Sequence, residues 1–144
     1  MSRRSRAREV ALQSLYQAEV NVPASPEARA RRHAFHRGRL HAPPLVAFAD
    51  ALVDGVTERL AEIDALLDGR SQHWRVARMA ATDRAVLRIA AFELLHTDTP
   101  GPVVVDEAIE LARRYGGEAS PTFVAGILGG LLADRDGRPR PAAG

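Results

Sequence analysis

Apolar residues recur along this chain at spacings of three and four, and almost nowhere do they alternate. From Leu45 to Leu67 the series Leu45, Phe48, Ala49, Leu52, Val53, Val56, Leu60, Ile63 and Leu67 predicts one long amphipathic helix stopped by Gly69. The stretch Asp83 to Leu95, capped by Thr82, is apolar over most of its circumference and reads as the central, most buried helix. Val103-Val104-Val105 favours strand locally. Val104, Ala108, Leu111, Ala112 and Tyr115 nevertheless continue at helical spacing, and Asp106 and Glu107 suit a first turn, so a helix is predicted with Gly116 as its stop. Ser120-Pro121 opens a last helix whose face is Phe123, Val124, Ile127, Leu128, Leu131 and Leu132. On it, Gly126, Gly129 and Gly130 would let a neighbouring backbone approach closely.

The N-terminal part follows the same period less regularly. A first helix is predicted from about Arg4 to Glu19, with Ala7, Ala11, Ser14, Leu15 and Ala18 on its buried face. Arg8, Leu12 and Tyr16 run along one edge of that face; Arg6 points to the other side, near Gln13. Asn21-Val22-Pro23 ends this element, and Ser25-Pro26-Glu27 is a cap-plus-proline start for a short Arg- and His-rich segment, Ala28 to Leu40. Ala42-Pro43-Pro44 marks a boundary. A short helix is expected around Trp74 to Met79, and Pro100-Gly101-Pro102 breaks the chain again. The sum is about seven helices and no convincing strand: an all-α bundle. It forms a single helical domain over 1–133, divided roughly into 1–69 and 70–133, with a basic N-terminal arm and a disordered tail over 134–144.

Composition narrows this picture. At 144 residues and 46% hydrophobic the chain can bury one core, and with only 5% aromatics that core must be built from Leu, Val, Ile and Ala. The net charge of +2 hides an asymmetry: residues 1–41 hold nine arginines against three glutamates, a net of +6, which leaves 42–144 at −4. Every basic residue is Arg; codon bias accounts for that, although the guanidinium fork also suits phosphate. The absence of Cys excludes disulfides, thiolate chemistry and Cys-based zinc sites and fits a cytoplasmic protein. The N-terminus lacks the apolar run of a secretory signal, and a transit peptide would not flow unbroken into a core helix. The longest uncharged run, Ala119 to Ala133, is too short to span a bilayer, so no membrane segment is expected.

Candidate chemistry concentrates at the N-terminus. Arg3, Arg4, Arg6 and Arg8 open the first helix, where the macrodipole is already positive. Each misplaced charge there costs about 0.3–1 kcal/mol. A polyanionic partner explains keeping them, with a solvated basic end as the plain alternative. Tyr16 lies on the same helix. Arginines beside an aromatic ring suit a single-stranded nucleic acid, although a half-buried core tyrosine is the other reading. Catalytic patterns are missing. No Lys exists for a P-loop, no G-x-G-x-x-G or G-x-S-x-G occurs, and no acid–His pair is positioned to activate a serine. Glu93-Leu94-Leu95-His96 has half the pattern of a di-iron site and no second copy. His33-x-x-His36, with His41 nearby, is ringed by Arg29, Arg31, Arg32, Arg37 and Arg39, which disfavours a cation. No metal, no cofactor and no enzymatic activity are expected. The 28–41 segment reads as a solvated basic helix with a secondary phosphate-contacting role as the alternative.

Three blocks, in this order and spacing, resemble the NusB family of bacterial transcription antitermination factors. They are Arg6 to Tyr16 (RAREVALQSLY), Asp83 to Leu94 (DRAVLRIAAFEL) and Asp106 to Gly116 (DEAIELARRYG), with Phe123-Val124-Ala125-Gly126-Ile127-Leu128 beyond. The resemblance implies two three-helix subdomains packed across one another and no enzymatic activity. It implies a complex with NusE, a small-subunit ribosomal protein, that binds single-stranded boxA RNA in ribosomal RNA leaders and helps RNA polymerase resist termination. It assigns Arg3, Arg4, Arg6, Arg8 and Tyr16 to the RNA surface, with Tyr115 and Phe123 as further RNA-side residues, and sets Asp83 near the protein partner. Departures are Ala125 where the family has Asn, Gly129 where it has Asp, and Ser5 within the arginine block. Two other readings stand beside this one: a protein–protein adaptor or homodimer with solvated arginines, and the NusB-like domain of a ribosomal RNA methyltransferase. Met1 and the loose tail favour a whole protein over such a fragment.

Overall fold

The computed structural model describes residues 2–18, 23–71 and 74–137. Among them are seven α-helices and no strand: α1 (Arg3–Ala18), α2 (Pro26–Leu40), α3 (Pro43–Glu58), α4 (Leu60–Arg70), α5 (Ala81–His96), α6 (Gly101–Tyr115) and α7 (Ser120–Gly137), with a 3-10 turn at Val76–Arg78. Helices α1, α2 and α3 pack on one another, and so do α5, α6 and α7. Helix α5 joins the groups by touching α1, α3 and α4, while α4 reaches across to α7.

The helices form where the apolar period runs, and the joints differ for identifiable reasons. Ser25 caps α2 by accepting the Ala28 N–H at 3.1 Å, with Pro26 behind it. His41 then turns the chain at φ 62°, ψ −49°, and the Ala42 N–H donates to the Leu40 carbonyl at 2.7 Å. That is a γ-turn of the strained, positive-φ kind, costing roughly 1–3 kcal/mol. It folds α3 straight back along α2, so that Arg29 meets Asp54 and His33 meets Asp50.

The predicted long helix is two helices. Arg59, at φ −117°, ends α3 and begins α4. The apolar period runs through this joint without a missed beat, so the pattern could not show it. The bend brings Asp64 to Arg88 of α5, at 2.7 and 2.9 Å, and Arg70 to Asp134 of α7. Helix α4 then continues past Gly69, and α7 continues past Asp134 to Gly137, where a tail was expected; residues 138–144 lie outside the described set. The stretch expected as a short helix from Trp74 is only the 3-10 turn. Thr82 is no cap: α5 starts at Ala81, and Ala80 holds the cap position without a side-chain hydrogen bond. Ser120 is the first residue of α7, and its hydroxyl accepts the Gly117 N–H at 3.0 Å.

Close approaches fall at other glycines than expected. A side chain at Gly126 or Gly129 would meet nothing within 4 Å, and at Gly130 only the flexible Arg70. A side chain at Gly55 would run into the Phe92 ring where α3 crosses α5, and one at Gly116 into Ser120 and the Ala112 carbonyl. The core is aliphatic, as composition required, with Leu15, Leu52, Ile63, Leu67, Leu87, Leu94 and Leu128 fully buried. Helix α5 lies deepest and buries every residue from Arg84 to Ala91. Leu87→Asp should therefore abolish the helical circular dichroism signal at neutral pH. An unpaired buried charge costs several kcal/mol against a total stability of about 5–15 kcal/mol.

Candidate nucleic-acid interface

The four N-terminal arginines do not share one environment. The basic arm is the first turn of α1 itself, which is helical from Arg3. Arg3 and Arg4 are exposed, and the Arg4 guanidinium lies 4.7 Å over the Phe48 ring of α3. Arg8 departs from the edge it was expected to share with Tyr16. It is 3% exposed, and its Nε and Nη2 donate to the two carboxylate oxygens of Glu93 at 2.7 and 2.8 Å. Burial alone would lower its pKa, but the Glu93 hydrogen bonds and charge, with Glu107 nearby, outweigh that and push it up. Its donors are committed to the core. Leu12, on the same expected edge, is buried too.

The stripe of α1 that lies along α6 passes through Arg6, Glu9, Gln13 and Tyr16, again at spacings of three and four; Glu9 in it is buried, Arg6 and Gln13 are half-buried and Tyr16 is exposed. Arg6 donates to Glu9, and the other Glu9 oxygen lies 2.8 Å from Arg114 of α6. Tyr115, next to Arg114, also hydrogen-bonds Glu9. Burial, then that hydrogen bond and the Glu9 charge, raise the phenol pKa, with Arg114 and Arg6 pulling the other way. Ser5 donates to Glu107 of α6 at 2.6 Å. The α1–α6 seam is thus laced by charge along its length. Past Tyr115 it opens into a groove of about 320 Å³ shared with Tyr16, which is 54% exposed. Tyr16 and Tyr115 therefore come together as expected for one surface.

Phe123 does not join them. It lines a second groove of about 520 Å³ with Trp74, Arg78, Met79 and Asp83. The expected RNA-side phenylalanine and the expected partner-side acid thus share one recess. Thr82 lines the first groove and Asp83 the second, so the two flank the start of α5. Asp83 Oδ1 is buried there without a hydrogen-bond partner in the protein. Trp74, 55% exposed, was not anticipated as a surface residue; its position at a chain turn carried no periodic signal.

One constellation corrects the sequence reading outright. An acid–His pair is positioned: Asp50 Oδ1 accepts from His36 Nδ1 at 2.7 Å, and His36 Nε2 meets the Ser14 hydroxyl at 2.6 Å. His33 approaches the other Asp50 oxygen at 2.6 Å. The order is that of a hydrolase triad, but His36 is fully buried and Ser14 nearly so, between helices that leave no approach for an acyl group. The chain of bonds ties α1, α2 and α3 together. Glu93 and His96 likewise part company, with Glu93 on Arg8 and His96 near Glu62. No group of three or more His, Cys, Asp or Glu that could hold a metal occurs among the described residues. No helix among them is long and apolar enough to cross a membrane.

The family model described as the NusB family matches residues 5–133. The chain belongs to the NusB family. The transcription antitermination protein NusB of Anaeromyxobacter dehalogenans is 45% identical over 128 residues, which cover 88% of each chain. That of Sorangium cellulosum is 43% identical over 129 residues, 89% of this chain and 90% of that one. The structure of T. maritima NusB superposes with a TM-score of 0.76 at 33% identity, covering 93% of this chain and 92% of that one. The protein is a transcription antitermination factor of a non-enzymatic family, and its all-helical fold is the NusB fold.

Two measurements check the NusB-family site geometry. Glu93→Ala strands the buried Arg8 charge and should cost about 3–5 kcal/mol in denaturant unfolding. Tyr115→Phe should remove from the alkaline titration a tyrosinate step lying above about pH 10. The raised pKa means that the neutral phenol is the form the fold favours. Its contribution is complete below the unfolded pKa and is lost as pH rises through the folded one.

Proposed function

We propose that this chain acts in antitermination by holding single-stranded boxA RNA of ribosomal RNA leaders, in the cytoplasm and together with NusE, so that RNA polymerase resists termination. The observation that carries this reading is the α1–α6 seam. Its open end presents Arg3 and Arg4, its middle Arg6 and Arg114, and its far end two exposed tyrosine rings over one groove. Cations gather phosphates by releasing counterions, and exposed aromatic faces stack bases. Glu9 holds Arg6 and Arg114 in fixed directions, so less side-chain freedom is lost when a phosphate arrives. Arg8 serves indirectly: with Arg4 it packs on the Phe48 ring, which steadies the first turn. The second groove, with exposed Trp74 and the unpartnered Asp83 oxygen, suits a protein partner that brings a hydrogen-bond donor, as NusE would. Phe123 lies on the border that RNA and partner would both reach.

With Arg3, Arg4 and Arg6 as the phosphate ligands, binding of a boxA oligonucleotide to the protein plus NusE should weaken with salt at a log–log slope of about −2. Replacing Arg3 and Arg4 by Ala should flatten the slope by about 1.4. A homodimer or adaptor with solvated arginines would give no salt-dependent RNA binding at all, and that result would overturn the reading.

A further inference from the structure

Helix α2 carries five arginines, more than any other helix among the described residues, and the RNA surface described so far leaves it unused. Its arginines are not equivalent. Arg29 and Arg32 face Asp54 of α3. Arg39, near the C-terminal end, is exposed and meets no carboxylate among the described residues; its guanidinium lies 5.0 Å over the Phe35 ring. Phe35 and Arg39 form the α2 side of the groove that holds Tyr16 and Tyr115.

The other walls of this groove are unusual for a mere surface dent. The chain has only two tyrosines, and both stand here, 54% and 38% exposed. Gln13 lines the groove with them, and its Oε1 is buried with no hydrogen-bond partner in the protein. Buried acceptors in native folds are nearly always satisfied, so one left open in a groove wall can take a donor from a ligand as readily as from water. At about 320 Å³ the groove is at the small end of ligand sites, sized for one flat ring system. It therefore suits a flat, stackable group with an N–H on its edge, joined to an anion within reach of Arg39. A nucleotide has all three features. An aromatic side chain of a protein has no anion attached.

We infer that the groove at the junction of α1, α2 and α6 is a pocket for a single unstacked RNA base. In it Gln13 accepts a hydrogen bond from the base edge, Tyr16, Phe35 and Tyr115 supply stacking faces, and Arg39 takes the adjoining phosphate. Helix α2 is thereby part of the RNA surface and Gln13 a residue that discriminates between bases. The inference rests on the RNA-binding reading above and adds to it a position and a role for α2.

A fluorescent purine analogue placed in turn at each position of a boxA oligonucleotide tests it, with the intact protein and NusE present. One position should be quenched on binding, and the quench should disappear in Phe35→Leu with RNA still bound through the arginines. Gln13→Leu should weaken binding about tenfold when that position carries its preferred base and less for other bases. Arg39→Ala, an exposed change that leaves the fold intact, should flatten the salt slope by about 0.7. Thermal unfolding of each variant separates these effects from misfolding. If RNA binds with the full salt slope but no position responds to the Phe35, Gln13 or Arg39 variants, the pocket is overturned and the RNA reading stands. If Phe35→Leu and Gln13→Leu weaken NusE binding and leave RNA binding untouched, the groove belongs to the protein partner and the pocket is again overturned. If the wild-type complex binds no RNA, both readings fall.

Discussion

The buried ion pair between Arg8 and Glu93 is the contact on which the arrangement of this molecule turns. It joins α1 to α5, the helix that holds the two three-helix groups together, by two parallel hydrogen bonds in a region closed to water. Such a pair is poor value as stabilisation, because desolvating both charges consumes most of what their attraction returns. Its effect lies in specification. A guanidinium fork and a carboxylate satisfy one another in one register and one rotation of the helices, and any slip leaves two charges stranded. Arg88 with Asp64 repeats the device between α5 and α4, and Arg84 donates to the carbonyls of Val76 and Met79 at and just after the 3-10 turn. The deepest helix is therefore pinned to its surroundings by charged side chains as well as by aliphatic packing.

The rotation of α1 that this pair imposes decides what the helix shows to solvent. With Arg8 turned inward, the stripe through Arg6, Glu9, Gln13 and Tyr16 is the one that lies along α6, buried at Glu9 and open to solvent at Tyr16. Glu9 acts there as a hub for Arg6, Arg114 and Tyr115. The same helix is held from its other side by the Ser14–His36–Asp50 chain, which uses triad chemistry for packing alone. The surface residues of α1 thus stand on a helix fixed in rotation from two directions, which is how long, flexible arginines are kept in a defined place.

Much of this was legible in the residues. The helical period located all seven α-helices to within a few residues except at the α3–α4 joint and at the 3-10 turn. The count of seven was reached with a different division, since one long helix is two and one short helix is a turn. Arg59 interrupts a pattern whose apolar beat continues unbroken, and periodicity records which residues are buried, not whether the axis bends between them. Gly126 and Gly129 looked like contact points because glycine permits close approach, yet permission is not contact, and the close approaches fall at Gly55, Gly101 and Gly116.

The order of apolar and polar residues by itself determined the fold class, the depth of α5, an aliphatic core and an excess of positive charge at one end. These follow from composition and from neighbours three or four places apart, which any helix brings together. Tertiary structure alone decided which charges are structural and which are available. Arg6 and Arg8 are two residues apart and chemically identical. One faces the α1–α6 seam and the other is locked into the core, because Glu93 lies 85 residues further along the chain. Tyr16 and Tyr115 likewise meet over one groove only because α6 returns to α1, and Asp50 reaches Ser14 only through a histidine on a third helix. Long-range partners of this kind leave no period in the sequence, since burial of a charge depends on the folded path and not on its neighbours in the chain.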